Sequence, residues 1–322
     1  MKQYRLSGTP YECGKQLGEK MAKAIRARLA VHGITERRVR GHASLLRRID
    51  RLVRSALPDV AEELRGLSDG ARLPYETIFY LNTAELPGGH ACSSIAITEK
   101  GRTILAHNED GDARERQGMT ALAHVKTNDR FFSAFVYAGE LPGAGFWWND
   151  FGLFGSVNFL RPFEPPKFGI PRIMISRALV SARTLRGALA ILRRHPSASG
   201  YHHFLGEGRR IVSVEQFRGD VSVVPVHGVY FHTNHYIHLA FRDRAGGSVG
   251  SRKRLARIGE LLKNTPDDPI RILFDTKQRP HAVYCQNGDD SQTLSTVLFD
   301  ASNRRITVYP SRSKIGVHRF SL

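Results

Sequence analysis

The chain has no apolar run approaching the length that crosses a bilayer, so membrane insertion is not expected. Its opening, Met1-Lys2-Gln3-Tyr4-Arg5-Leu6-Ser7-Gly8, lacks the apolar core of a secretory signal. Cysteine is scarce: 3 in 322 residues do not make a disulfide framework, and a reducing cytoplasm is the expected setting. Acidic residues are few, 30 against 48 Lys and Arg, which leaves a net charge of +18. No internal repeat, low-complexity tract, phosphate-cradling glycine loop or dinucleotide fingerprint is present. Histidines occur in pairs, His202-His203 and His232 with His235, but without Cys or carboxylate ligands at supporting spacing, so no metal is expected. These absences remove membrane, disulfide-scaffold and nucleotide-cofactor classes, and they leave a soluble globular protein.

The positive charge is spread along the chain with no aromatic-interleaved basic stripe, so a nucleic-acid partner is not expected. It is compatible with an anionic acyl carrier such as a coenzyme A thioester, as a substrate and not as a resident cofactor. Apolar residues make up 41% of the chain, ample for a sizeable core. Residues 1–91 read as mostly helical. Thr9-Pro10 offers a hydroxyl cap before a proline at the first helical position, and Leu17, Met21, Ile25 and Leu29 form one apolar stripe. Further helices are expected over Arg38–Leu57, from Pro58, and from Pro74. Beyond residue 92 the texture turns to strands: Ala121–Lys126, Phe131–Tyr137, Arg210–Glu215, Val221–Pro225, Gly228–Thr233, Thr293–Phe299 and Arg305–Tyr309. A long helix is expected over Arg172–Arg194 with a break near Ser181–Thr184, and others over Ser251–Lys263 and Pro269–Asp275. Cys13 and Cys285 are expected to be buried and unreactive.

The chain is organised around Gly88-Gly89-His90-Ala91-Cys92-Ser93-Ser94. Two glycines and small residues surround a cysteine. Two short strands follow, Ser94–Thr98 and Thr103–His107, with a turn at Glu99-Lys100-Gly101. Such a hairpin returns Asn108-Glu109-Asp110 to the side of Cys92. A thiol, an amide and a carboxylate are therefore expected to converge there. Further on, both tryptophans lie in Phe146-Trp147-Trp148-Asn149, beside a glycine-rich turn. Trp147, Trp148 and Asn149 read either as core or as the lining of an apolar acyl pocket.

Cys92-Ser93-Ser94, a hairpin, and Asn108-Glu109-Asp110 resemble the acyl-coenzyme A:aminopenicillanic acid acyltransferase family of N-terminal-nucleophile (Ntn) hydrolases. The segment Gly8–Gly18 is similar to the opening of family precursors, and Asn149, Gly152, Leu153 and Asn158 echo an internal family segment. Thr233-Asn234-His235 and the Ser251-x-x-Arg254 helix start also match. Ala91 stands where glycine commonly precedes the cysteine, Glu109 where an aromatic is common, and Gln286-Asn287 where relatives carry Arg-His.

The resemblance implies an α+β fold, a four-layer αββα sandwich. It also implies self-cleavage between Ala91 and Cys92, giving a helical 1–91 segment and a 92–322 catalytic segment that remain one globular αβ heterodimer, with higher oligomers open. An ordinary thiol, with a pKa near 8.5, needs a base. Cleavage supplies one, because the freed α-amine titrates near neutral pH. In this reading Cys92 attacks a small-molecule amide or acyl thioester and Asp110 holds the amine. Asn234 donates to the oxyanion, and Asn108, Ser251 and Arg254 support them. Hydrolysis and acyl transfer use the same residues. Two other readings stand beside it: an unprocessed Cys/His amidase, and a basic binding scaffold without activity.

Overall fold

The computed structural model describes residues 1–83, 92–116, 118–127, 130–160, 168–217, 219–238, 240–241, 247–286, 291–312 and 314–319. The expected cleavage position, Ala91, lies outside them. In chain order the elements are β1 (Lys2–Ser7), α1 (Pro10–Val31), α2 (Glu36–Gly41), α3 (Ala43–Ala56), α4 (Pro58–Ala71), α5 (Tyr75–Leu81), β2 (Ser93–Glu99) and β3 (Arg102–Gly111). After a 3-10 turn come β4 (Thr120–Thr127), β5 (Arg130–Tyr137), β6 (Phe146–Asn149), β7 (Leu153–Leu160), α6 (Arg172–Val180) and α7 (Leu185–Arg194). The rest is β8 (Gly200–Glu207), β9 (Arg210–Phe217), β10 (Asp220–Pro225), β11 (Gly228–His232), α8 (Val249–Asn264), α9 (Pro269–Leu273), β12 (Gln292–Asp300), β13 (Arg305–Ser311) and β14 (Lys314–Arg319). The chain is thus α+β, with its strands in two sheets.

Two compact units divide these elements. The first holds Met1–Pro87, Arg114–Asp150 and Lys167–Ala198; the second holds Gly88–Ala113, Phe151–Pro166 and Ser199–Leu322. In the first, Thr9 caps α1 as expected: its Oγ1 accepts from the Glu12 backbone at 3.2 Å, and Glu12 returns a bond to the Thr9 backbone at 2.8 Å. Helices α1 and α4 cross at very close range. A Cβ on Gly14 would meet the Glu63 carbonyl at 2.0 Å, and one on Gly66 the Tyr11 carbonyl at 1.9 Å. Only glycine lets two helix backbones approach that far.

The same unit corrects several expectations. The N-terminal segment opens on a strand: β1 pairs parallel with β4, Lys2 opposite Ala121. Only Leu6 of β1 is buried, so its sequence carries little apolar alternation. The helix expected over Arg38–Leu57 is two, separated at His42, which ends α2 and precedes α3. The helix expected over Arg172–Arg194 is interrupted as anticipated, and Thr184 caps the second half by accepting from the Gly187 backbone.

In the second unit the strand order is β11-β2-β3-β12-β13-β14 in one sheet and β7-β8-β9-β10 in the other. Helices α8 and α9 cover one face of the first sheet. Ile95 and Ile97 of β2 and Ile104 and Ala106 of β3 pack there against Ile258, Ile272, Leu273 and Val283. The opposite face meets the second sheet, as in the stack of Phe154 on Phe299 and the bond from Ser94 to Asn158. Strands β7, β8 and β14 were not expected from the sequence; the first two are almost continuously buried and show no polar alternation.

Candidate active site

Strands β2 and β3 form the expected hairpin, but its loop is the two residues Lys100-Gly101, both with positive φ of 50° and 76°. That geometry matches the twist of antiparallel strands. It sets Ser93 opposite Asn108 and Ser94 opposite His107. Because side chains alternate along a strand, Cys92, Ser94, His107 and Glu109 share the face toward the second sheet. Asn108 and Asp110 point to the helix-covered face instead. The expected convergence of the Cys92, Asn108 and Asp110 side chains is therefore corrected: the side chain that meets the thiol is Glu109.

On the thiol's face the polar groups are linked one to the next. Cys92 Sγ lies 3.9 Å from Glu109 Oε2, and Glu109 Oε2 lies 3.0 Å from His107 Nε2. His107 Nδ1 is 2.8 Å from Ser94 Oγ, and Ser94 donates to Asn158 Oδ1 at 2.8 Å. From Asn158 the bonds continue through His202 Nδ1 at 3.2 Å, and from His202 Nε2 to Ser213 at 2.8 Å. Ser213 in turn meets His238 at 2.9 Å. The His202 ring stacks on His232 at 3.5 Å, and His232 Nε2 is 2.9 Å from Glu215 Oε1. Burial dominates the electrostatics here. It pushes His107 down to about 3 and His202 well below the usual imidazole range. It also drives the Cys92 thiol well above its ordinary value, with the charges of Glu109 and Asp110 acting in the same direction.

The helix-covered face differs. Asn108 Nδ2 donates to the carbonyls of Leu273 at 2.8 Å and Val283 at 3.0 Å, while its Oδ1 accepts from Thr296 at 2.7 Å. Its amide is thus occupied in fastening α9 to β3. Asp110 is fully buried and pushed up to about 7, mainly by burial and against the pull of Arg254. Its Oδ2 accepts from the Cys285 thiol at 3.7 Å, while Oδ1 has no hydrogen-bond partner among the described residues. Cys92 reaches Asp110 through a hydrogen bond with its backbone. A bulge in β12 between Thr293 and Ser295 faces Asp110 and Glu109.

Asn234, Ser251 and Arg254, each named separately from the sequence, are joined by hydrogen bonds. The Asn234 backbone donates to Ser251 Oγ at 2.8 Å, and Arg254 Nη2 donates to Asn234 Oδ1 at 2.6 Å. One N–H of the Asn234 amide goes to the Phe159 carbonyl at 3.0 Å, which leaves its second N–H to donate. Ser251 and Arg254 sit on the first turns of α8, which Ser248 caps. Arg254 is buried, and its Nε has no partner among the described residues. Trp147, Trp148 and Asn149 belong to the first unit. Both tryptophans are buried there, and the Asn149 amide donates to the carbonyls of Val180 and Ala182 at the end of α6. Cys13 and Cys285 are buried, as expected. The sequence reading missed His107 and Ser94 and gave Glu109 no chemical role. The signal that would have found them is the two-residue turn, which sets Glu109 across from Cys92.

The chain matches the family model for acyl-coenzyme A:6-aminopenicillanic acid acyl-transferase over residues 97–314, about two thirds of its length. It belongs to that family. The matched span begins after Cys92 and includes His107–Asp110, Asn234, Ser251 and Arg254. Among curated proteins it is similar to the beta-alanyl-dopamine/carcinine hydrolase of Drosophila melanogaster, 23% identical over 302 residues, covering 80% of this chain and 77% of the relative. Among solved structures it is similar to the conjugated bile acid hydrolase of Clostridium perfringens, with 12% identity and a TM-score of 0.48, covering 71% of this chain and 92% of that one. It is also similar to the penicillin V acylase of Agrobacterium tumefaciens, with 15% identity, a TM-score of 0.44, and coverage of 70% and 84%.

Proposed function

We propose that this family member cuts its own backbone before Cys92 and then uses the Cys92 thiol on a linear amide or an acyl thioester. The observation that carries the reading is the buried Oδ1 of Asp110, which has no hydrogen-bond partner among the described residues, on a residue whose backbone bonds the Cys92 thiol. A buried carboxylate oxygen without a donor is costly. A new ammonium on Cys92 would supply one. Before cleavage the thiol is protonated, and Glu109, 3.9 Å from it, is the group within reach to accept the proton.

In the first step the C–S bond to the Ala91 carbonyl carbon forms and its C–N bond breaks. The thiol proton ends on the nitrogen, which becomes the Cys92 amine. Water then adds to the thioester carbonyl, and the sulfur leaves and regains a proton. On substrate the same sequence gives an acyl-enzyme, released to water or to an amine, with the α-amine carrying the proton between steps. The free N–H of Asn234 is the proposed oxyanion donor, oriented by Arg254. The Drosophila relative's name supplies the first amides to try, beta-alanyl-dopamine and carcinine, and a coenzyme A thioester is the acyl donor to try for transfer.

The test is intact mass spectrometry of the purified chain with and without an electrophilic thiol probe. Two fragments divided at Ala91/Cys92, with the probe on the new terminus, are expected. The Cys92→Ala chain should stay whole and lose turnover by roughly a thousandfold or more. An unbroken, fully active wild type would instead favour a cysteine hydrolase whose base is Glu109, with His107 behind it.

A further inference from the structure

We propose that Cys92, His107 and Glu109 form a binding site for one divalent ion of the zinc class, and that such an ion silences the nucleophile. One ligand atom from each side chain lies within 4.8 Å of the other two, and all three residues are buried. Thiolate, imidazole and carboxylate together are a donor set that zinc accepts and that magnesium and calcium do not favour. Two of the three are anionic once bound, so they neutralise a divalent ion and relieve the cost of placing it in a buried site.

The hairpin makes this arrangement rigid. The three side chains stand on one face of two strands whose register the Lys100-Gly101 turn determines. The imidazole is also oriented from behind. His107 Nδ1 lies 2.8 Å from Ser94 Oγ, and its Nε2 lies 3.0 Å from Glu109 Oε2. An arriving ion would take the Nε2 position now in contact with Glu109, with the ring proton moved to Nδ1 and held by Ser94. A ligating histidine held through its other nitrogen is the usual construction of a zinc site.

In the uncut chain the three side chains leave a fourth position for water. The fourth protein donor depends on the cleavage reading: a freed Cys92 amine closes a five-membered chelate with its own thiolate. The ion would then take both nucleophile and base. The chemistry loses one thiol proton to solvent as the metal–sulfur bond forms, and no oxidant or reductant is involved.

Cobalt(II) reports the site directly, through a thiolate-to-cobalt charge-transfer band in the near ultraviolet. The full chain is titrated with cobalt, and the cobalt is then displaced by zinc. One equivalent is expected to saturate the band. Cys92→Ser should abolish it and Glu109→Gln should weaken binding at least tenfold. Ser94→Ala should weaken it by about tenfold, the cost of freeing a ligating imidazole. No band in the wild type, or a band that survives Cys92→Ser, overturns the proposal. If the variants fold poorly, zinc-edge X-ray absorption of the loaded wild type decides: one sulfur among lighter donors is expected, and none or two overturns it. The mass of the same sample separates the two readings. A band in an uncut chain keeps the metal site and sinks self-cleavage; a cut chain without a band does the reverse.

Discussion

Both units of the molecule bury arginine, and Arg28 of the first and Arg254 of the second are treated differently. In the first unit, Arg28 has no exposed surface. Its Nε meets Glu115 and its Nη2 meets Glu140, both at 2.6 Å, while Nη1 donates to the Ala138 carbonyl at 3.2 Å. His32 adds a contact to Glu115 at 2.9 Å. All three guanidinium nitrogens are used, which is how a buried ion group holds structure. In the second unit, Arg254 is bonded through Nη2 to Asn234, but among the described residues its Nε has no partner, and neither has Oδ1 of Asp110. A closed ionic cluster serves the fold. An open one beside Cys92 is, on the reading proposed above, set up for a group that arrives later.

The comparison is broken most strongly at its closed end. Arg28→Met would strand Glu115 and Glu140 in the interior, and unfolding in guanidinium should show a loss of about 3–5 kcal/mol. Turnover per folded molecule should be unchanged, because none of these groups belongs to the active site. At the open end the effect should move from stability to chemistry. Asp110→Asn should slow cleavage and turnover by roughly a hundredfold or more, the scale of losing one preorganised charged contact. In a Cys92→Ala background, which stays uncut, the same change should alter stability at about pH 5 by only about 1 kcal/mol or less, since an asparagine oxygen can keep the contact of Oδ2 and Oδ1 has no bond to lose among the described residues. A large stability loss there, with cleavage intact in the wild-type background, would reverse the assignment.

What could be read from the sequence follows the same division. Most of the helical course of residues 10–81 and the hairpins β2–β3, β4–β5 and β12–β13 were visible because their apolar spacing is local. The Thr9–Glu12 cap, the helix break at Ser181–Thr184 and the burial of Cys13 and Cys285 all rest on neighbours in the chain. Strands β7 and β8 were not visible, because burial on both faces erases alternation. The site was legible in part. Asn234, Ser251 and Arg254 were each expected from the family resemblance, and their hydrogen bonds to one another were not. The thiol's true neighbour was lost because alternation was not carried past His107: the expected strands Ser94–Thr98 and Thr103–His107 have the observed register, which sets Glu109, and not Asn108 or Asp110, across from Cys92. The Ser94–Asn158–His202–Ser213–His238 links join strands far apart in sequence, so no local pattern announces them.

The smallest effect, and the most specific, is a dependence on pH. Asp110 is pushed up to about 7 from its usual 3.8, so between those values the unfolded chain has released a proton that the folded, uncut chain still holds. The contribution of this group to stability is complete at acid pH and is lost as pH rises toward 7. The buried imidazoles act in the opposite sense. His107 and His203 near 3 and His235 near 4 bind protons on unfolding below about 6.5, so they remove stability as pH falls. Comparing Cys92→Ala with Cys92→Ala/Asp110→Asn cancels the histidines and isolates the carboxyl. Denaturant unfolding should show the double variant gaining on the single one between pH 5 and 7, by on the order of 1–2 kcal/mol after allowance for water reaching the site. In the cut chain an ammonium beside Asp110 would lower its pKa, and the slope should flatten when the cut wild type is compared with Asp110→Asn that has been left to process fully. A slope equally steep in cut and uncut chains would mean that no cation reaches Oδ1, and the open end of the comparison would then have no partner to wait for.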